Sequence, residues 1–373
     1  MLHLTVTSSW WVPKGPLRLA LFLGPIVLLF ILFRDNPNWT DRSLHSVIPF
    51  DTEQLNIKSH DTATQLCQLH GWKPFRRTRS PRKVYDLLMV NTELEWLEIR
   101  LNTTYHQVDY FVIVESHKTF TNHEKPLIIK DNLDKFAAYR DKIIYHQLEL
   151  PADFHSERAN PAWDSEDFQR NAMYDQVLPR LQGQQAPMPG DVIIVADVEE
   201  ITRPETIAVL KACEFPLRLN LRSHFYYYSF QFVHRGVQWA HPQATYYRGS
   251  KTILPVNLRN SDGGFQPLIK LQTADLWNAG WHCSSCFSTI EEFLTKLSSF
   301  SHQWMNAEKY RDTERIVAYI REGKDLWDRE TEIFDRIDNN LDVPAMILEQ
   351  PDRFAHLLDR DTPNAGFKDY TPP

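Results

Sequence analysis

Apolar positions change period repeatedly along this chain, and the changes divide it into elements. The run Leu19–Phe33 carries no charge at all, and Lys14 and Arg18 precede it. Residues 34 to about 80 are polar and proline-punctuated, without a steady period. Alternation of strand-like and helix-like segments begins after them. Val84–Val90 reads as a buried strand, and Thr92–Leu101 has helical spacing, with apolar residues at 94, 97 and 101. Tyr110–Val114 and Lys142–Tyr145 read as further strands, and Asp164–Leu181 as a helix through Phe168, Met173, Val177 and Leu181. Asp191–Ala196 is a continuous apolar run, as a central parallel strand requires. Pro204 suits the first turn of the helix that follows. Leu217–Leu221 and the aromatic-rich Phe225–Phe232 read as two strands, and Ser288-Thr289-Ile290-Glu291 as a capping box for a helix to about Ser299. Thr313–Arg321 and Glu330–Asp338 read as helices. Strands alternating with helices predict an α/β fold, a mostly parallel central sheet flanked by helices.

The first segment changes the picture of the whole. A full bilayer span needs about 20 apolar residues, so Leu19–Phe33 spans when Leu17 and the Arg18 stem are counted. The two basic residues put the N-terminus in the cytosol. No A-x-A-like site follows the run, which favours a signal anchor over a cleaved signal peptide. The expected order is a cytosolic tail (1–16), a transmembrane helix (17–34), a stem (35–82), a catalytic domain (83–345) and a C-terminal tail (346–373). Sequons at Asn38 and Asn102 agree with a lumenal location.

Composition narrows the partners. The formal net charge is −7, which gives no electrostatic case for nucleic acid. The cysteines Cys67, Cys213, Cys283 and Cys286 are too few for a disulfide scaffold. Cys283 and Cys286, in C-x-x-C spacing beside His282, admit a thiol oxidoreductase or half a zinc site; in an oxidising compartment they serve better as structural disulfides.

The sharpest chemistry is Asp197-Val198-Glu199-Glu200, just past the carboxyl end of the predicted central strand. That edge of an open α/β sheet is where ligands bind. In an extended segment Asp197 and Glu199 point the same way and could hold Mn²⁺ or Mg²⁺, with a diphosphate completing the shell. The alternative is a helix N-terminus decorated with acids. Glu115 ends a strand on the same edge and is a candidate donor contact, the alternative being a cap on its loop; Arg170 on the preceding helix is a second candidate, the alternative being a structural salt bridge. Lys118 and Lys125 are candidates for phosphate contacts, and His302 for a third metal ligand. Glu200, Asp262 and Asp275 are the candidates for a general base. Trp239, Trp277, Trp281, Tyr246 and Tyr247 could supply faces for sugars.

The segment Asp197-Val-Glu-Glu-Ile-Thr-Arg-Pro204 resembles the Asp-Val-Asp-Glu-Ile-Pro-Arg-Pro segment of glycosyltransferase family 17. Further matching segments follow in the same order: Glu115–Leu127, Phe168–Asn171, Tyr226–Phe230, Gly280–Phe287 and Lys296–His302. The resemblance implies a GT-A-like nucleotide-diphospho-sugar transferase fold. It implies UDP-GlcNAc as donor, a mannose-containing glycan as acceptor, a divalent metal, inversion, and a Golgi membrane location with the catalytic domain lumenal. Glu199 stands where the family carries aspartate, and Thr202 where it carries proline. A non-catalytic glycan- or nucleotide-sugar-binding protein on the same fold is the alternative.

Overall fold

The computed structural model describes residues 46–47, 52, 60–76, 80–151, 154, 161–299 and 303–373. All belong to one compact unit, Leu44–Pro373. The expected membrane helix lies outside the described residues; among those described, no helix is long and apolar enough to cross a membrane.

Two short strands, β1 (Lys73–Pro74) and β7 (Cys213–Glu214), pair antiparallel apart from the main sheet. In that sheet β2 (Val84–Met89), β3 (Tyr110–Glu115), β4 (Ile143–Gln147) and β5 (Val192–Asp197) form a parallel block in the order β5-β2-β3-β4. Both faces of the block are covered, as its largely apolar strands require; Asp86, the one charge inside β2, is paired with Arg100. Val84, Leu88, Phe111, Ile113, Val192 and Ile194 feed one core. The alternate residues Tyr85, Leu87, Val112, Val114, Ile193 and Val195 feed the other. These strands, and the helices α1 (Leu94–Thr104), α2 (Pro161–Ala172) and α3 (Pro204–Ala212), lie close to where the sequence pattern puts them. The second helical segment continues past Ala172 as a π turn (Met173–Val177) and a 3-10 turn (Leu178–Arg180).

An antiparallel arm extends the same ten-stranded sheet. β10 (Gln243–Tyr246) pairs antiparallel with β5 and with β8 (Arg218–Tyr227); beyond β8 lie β9 (Ser229–His234) and β12 (Phe334–Arg336). β11 (Thr273–Ser284) runs parallel to β8 and carries the short β6 (Glu200–Thr202).

The arm departs from the sequence reading in three places. The strand expected to break after Leu221 runs on to Tyr227, and the chain turns at Tyr228, with φ 66°. That backbone is unfavourable for a tyrosine. It is held from outside: the Tyr228 hydroxyl donates to the Lys324 carbonyl at 3.0 Å and accepts from the Leu326 amide at 3.1 Å. The expected helix Glu330–Asp338 is instead the edge strand β12, because Phe334 stacks on Tyr227 at 4.5 Å while Ile333 faces solvent. The capping box sits one residue later than expected. Thr289 Oγ1 accepts from the Glu292 amide at 3.1 Å, and Glu292 accepts from the Ser288 and Thr289 amides, opening α4 (Ile290–Ser299).

Two disulfides, Cys67–Cys213 and Cys283–Cys286, take up all four cysteines. Residues 346–373, expected as a tail, pack against both halves of the sheet, and Met346, Ile347, Phe354 and Leu357 join the first core. Ala365 and Phe367 join a core with Phe293, Ile316 and Trp327, and the buried Arg360 guanidinium donates to the carbonyls of Tyr228, Phe287 and Ala365.

Candidate active site

Asp197 ends β5 and Glu200 begins β6, so the chain turns at Val198–Glu199. The segment is therefore not extended, as the spacing argument assumed, yet Asp197, Glu199 and Glu200 all line one cleft of about 670 Å³. The cleft opens at the carboxyl edge of the parallel block, the edge where α/β sheets bind ligands.

Glu200 is the anchor of the turn. It is 1% exposed, accepts the Asp197 amide at 3.0 Å and the Trp239 indole N–H at 2.9 Å, and pairs with both guanidinium nitrogens of Arg259 at 2.7 Å. Burial pushes its carboxyl up, but Arg259 outweighs this and holds it well below the usual carboxylate range. Asp197, a third of its side chain exposed, accepts from Arg170 at 2.9 Å and from Arg259 at 2.7 Å. Those two arginines outweigh burial and hold its carboxyl low. Below the turn, the buried Arg100 pairs with Asp86 and donates to the Asp197 and Glu200 carbonyls.

Glu199 is held differently. Its carboxylate lies 3.6 Å from Lys296 Nζ, which also pairs with Glu93 at 3.0 Å. Burial, joined by the neighbouring charges of Asp197 and Glu93, pushes the Glu199 carboxyl up to about 7 despite Lys296. Two carboxylates on one wall, one of them short of positive charge, fit a divalent ion of the kind bound through one or two carboxylates and substrate phosphates. Among the described residues no group of three His, Cys, Asp or Glu is placed to hold a metal, and His302, the expected third ligand, lies outside them.

The other expected site residues separate into those in the cleft and those elsewhere. Arg170, Lys118, Lys125 and Trp239 line it. Glu115 is buried beneath it. Its carboxylate accepts the Ile129 and Lys130 amides and the Tyr145 hydroxyl, with Lys125 Nζ at 3.7 Å, so it fixes a loop instead of meeting a ligand. Asp275 accepts from Asn220 and Arg222 near the start of β11, whereas it is His282 and Ser284, at the end of that strand, that line the cleft. Asp262 is exposed in a turn, accepting the Gly263 amide. Trp281 is buried against Arg203 and Asp342, and Tyr246 and Tyr247 line a second cavity of about 800 Å³ with Trp72 and Phe215.

The structure adds residues the sequence did not single out. Arg259 sits on a single-turn helix (Pro255–Arg259) with no motif around it. Lys296 lies inside one of the matching segments but gives no signal of its own there. Glu93, Phe225, Trp304 and Trp327 complete the lining used below.

An acidic turn at the carboxyl edge of a parallel α/β block, facing a cleft lined by cations and aromatic rings, is the architecture of a protein that takes a charged ligand with a large polar body. The chain belongs to glycosyltransferase family 17, whose family model matches residues 19–361. It is 26% identical over 312 residues to the human β-1,4-mannosyl-glycoprotein 4-β-N-acetylglucosaminyltransferase, covering 75% of this chain and 55% of that protein. The rat and mouse proteins of the same name are 26% and 25% identical over the same length. The chain thus spans about half the length of the curated relatives it matches. A solved Pyrobaculum calidifontis mannosyltransferase in complex with GDP-Man and Mn²⁺ aligns with a TM-score of 0.32 at 9% identity, covering 71% of this chain and 70% of that one.

Proposed function

We propose that this chain transfers GlcNAc from UDP-GlcNAc to a mannose-containing glycan with inversion, on a GT-A-like fold. The observation that carries the reading is the acidic turn Asp197–Glu200 opening onto the cleft among Arg170, Arg259 and Lys296. Family membership and the relatives' printed activity support it.

In this reaction the acceptor hydroxyl attacks the sugar C1 opposite the leaving group. A new C1–O bond forms as the C1–O bond to the β-phosphate breaks, the hydroxyl proton passes to a base, and UDP departs with the electron pair. Asp197 and Glu199 would hold Mn²⁺ or Mg²⁺, which supplies positive charge for the leaving diphosphate. Lys118, Lys125 and Lys296 line the cleft as further cations for the phosphates. Glu200 is fully engaged by Arg259 and Trp239, so it orients the turn and does not take the proton. Asp275, paired with Arg222, and Asp262, exposed in a turn, do not line the cleft and are not bases in this scheme.

The apolar run Leu19–Phe33 and the two disulfides support a single-pass, type II Golgi protein with its catalytic domain lumenal. The test is turnover of a panel of UDP- and GDP-sugars by the full chain, with and without Mn²⁺. We expect UDP-GlcNAc consumption that needs the metal and rises with a mannose-terminated acceptor. Donor binding without turnover, unchanged in a Glu199→Asp variant, would replace the enzyme by a nucleotide-sugar-binding protein.

A further inference from the structure

One wall of the cleft is a continuous train of rings that leads away from the acidic turn. It starts at Trp239, whose indole N–H donates to Glu200 at 2.9 Å. Trp239 lies 5.1 Å from His282, and His282 stacks on Phe225 at 5.0 Å with 15° between the planes. Phe225 lies 6.2 Å from Tyr227, Tyr227 lies 6.3 Å from Trp327, and Trp327 meets Trp304 edge-on at 6.3 Å. All six line the cleft.

The last ring is unlike those before it. Tyr227 and Trp327 are buried, at 2% and 8% exposure, whereas Trp304 is 53% exposed. Its neighbour Trp327 is held on two sides: its indole N–H donates to the Met305 carbonyl at 3.1 Å, and the Arg329 guanidinium lies 5.3 Å from its ring while pairing with Asp325. Arg329 and Glu332 fringe the same wall with polar groups. A braced, solvent-facing indole flanked by hydrogen-bonding groups suits a pyranose, which offers one C–H face and a rim of hydroxyls.

We infer that this wall is the acceptor subsite, and that Trp304 stacks on a sugar of an oligosaccharide acceptor away from the hydroxyl that reacts. The inference rests on the transferase reading of the cleft and adds which wall takes the acceptor. Trp304 thereby sets acceptor specificity: it favours a mannose-containing oligosaccharide over a single mannose residue and leaves the donor untouched.

The experiment compares full-length wild type, Trp304→Ala and Trp304→Phe with a branched mannotriose and with methyl α-mannoside as acceptors. Trp304→Ala should raise KM for the mannotriose roughly tenfold, while KM for the single sugar and for UDP-GlcNAc stays unchanged. Trp304→Phe should stay within about threefold of wild type, because a ring face remains. The melting temperature of Trp304→Ala should match wild type, which separates a contact from a packing defect. Mannotriose should also quench the wild-type tryptophan emission, and Trp304→Phe should lose that quench while still binding. Equal effects on both acceptors, no effect on either, or quenching by UDP alone would overturn the inference. If the wild type turns over no nucleotide sugar, the proposed function falls, and the quench by mannotriose still decides the role of the wall.

Discussion

The two walls of the cleft are built on different halves of one sheet. The charged wall stands on the parallel block, where β5 ends at Asp197 and Glu93 follows β2. Its groups hold one another: Arg259 spans Asp197 and Glu200, and Lys296 spans Glu93 and Glu199. The aromatic wall stands on the antiparallel arm, where rings from β8, β11 and the segment after α4 lie side by side. A buried ion pair is fragile to the loss of one partner, because the other is left charged without water. An exposed ring such as Trp304, 53% exposed, loses little beyond its own contact area, because its truncation leaves no closed cavity. The charged wall should therefore fail as a unit, and the aromatic wall one contact at a time.

The strongest way to break that contrast is Arg259→Met. It leaves Glu200, 1% exposed, with only the Trp239 and Asp197 N–H donors. The expected loss is about 3–5 kcal/mol, read as a drop in the urea midpoint. A loss no greater than that of Trp304→Ala would erase the distinction between the walls. Next is Asp197→Asn, which keeps the shape of the turn and removes the charge. It should lower kcat by about 10²–10³-fold, with a smaller fall in stability than Arg259→Met, because Arg170 and Arg259 keep Glu166 and Glu200 as partners. Turnover at the wild-type rate would remove Asp197 from the chemistry.

A third variant probes the seam between the walls. Burial lowers His282 to about 4 from an ordinary 6.5, and its Nδ1 has no hydrogen-bond partner. A histidine lowered by folding takes up its proton first in the unfolded chain. Its neutral form thus stabilises the fold above pH 6.5, and that contribution is lost as the pH falls from 6.5 toward 4. The penalty at pH 5 is about 2 kcal/mol relative to pH 7.5 for this group. His282→Phe keeps the stack on Phe225 and should remove that part of the acid loss, measured by urea unfolding at the two pH values. An unchanged pH slope would mean that His282 is not held neutral.

The same division decides what the sequence reveals. The inner parallel strands are buried on both faces, so Val192–Ala196 is a continuous apolar run and Val84–Met89 is apolar but for Asp86, which Arg100 pairs. The acidic turn is legible because it must follow such a run. The arm is not legible in the same way, since its strands are shaped by partners far along the chain. Tyr228 turns because Lys324 and Leu326 hold its hydroxyl, and Phe334 joins a strand because Tyr227 receives its ring. Arg259 was invisible for a related reason: a single-turn helix has no periodicity, and its role exists only once Glu200 and Asp197 are folded beside it. Asp275 sits near the start of β11, held by Asn220 and Arg222, a placement its local sequence does not reveal.

The smallest effect tests how the two halves are joined. α4 carries Lys296 to the charged wall, and its first amides are capped from the C-terminal segment: Asp369 accepts from Ile290 at 2.7 Å and from Glu291 at 3.0 Å. Thr289 and Glu292 cap the same end, so Asp369 is one of several partners there. Asp369→Ala should lose about 1 kcal/mol, the usual effect of removing a carboxylate cap at a helix N-terminus. Lys296 lies more than one turn further on, beyond the reach of fraying at the first amides. The donor KM should therefore move less than about twofold, since helix-end effects fall off within the first turn. A larger rise in KM, with the same small loss of stability, would show that the C-terminal segment sets the position of Lys296, and that the charged wall depends on the arm for more than support.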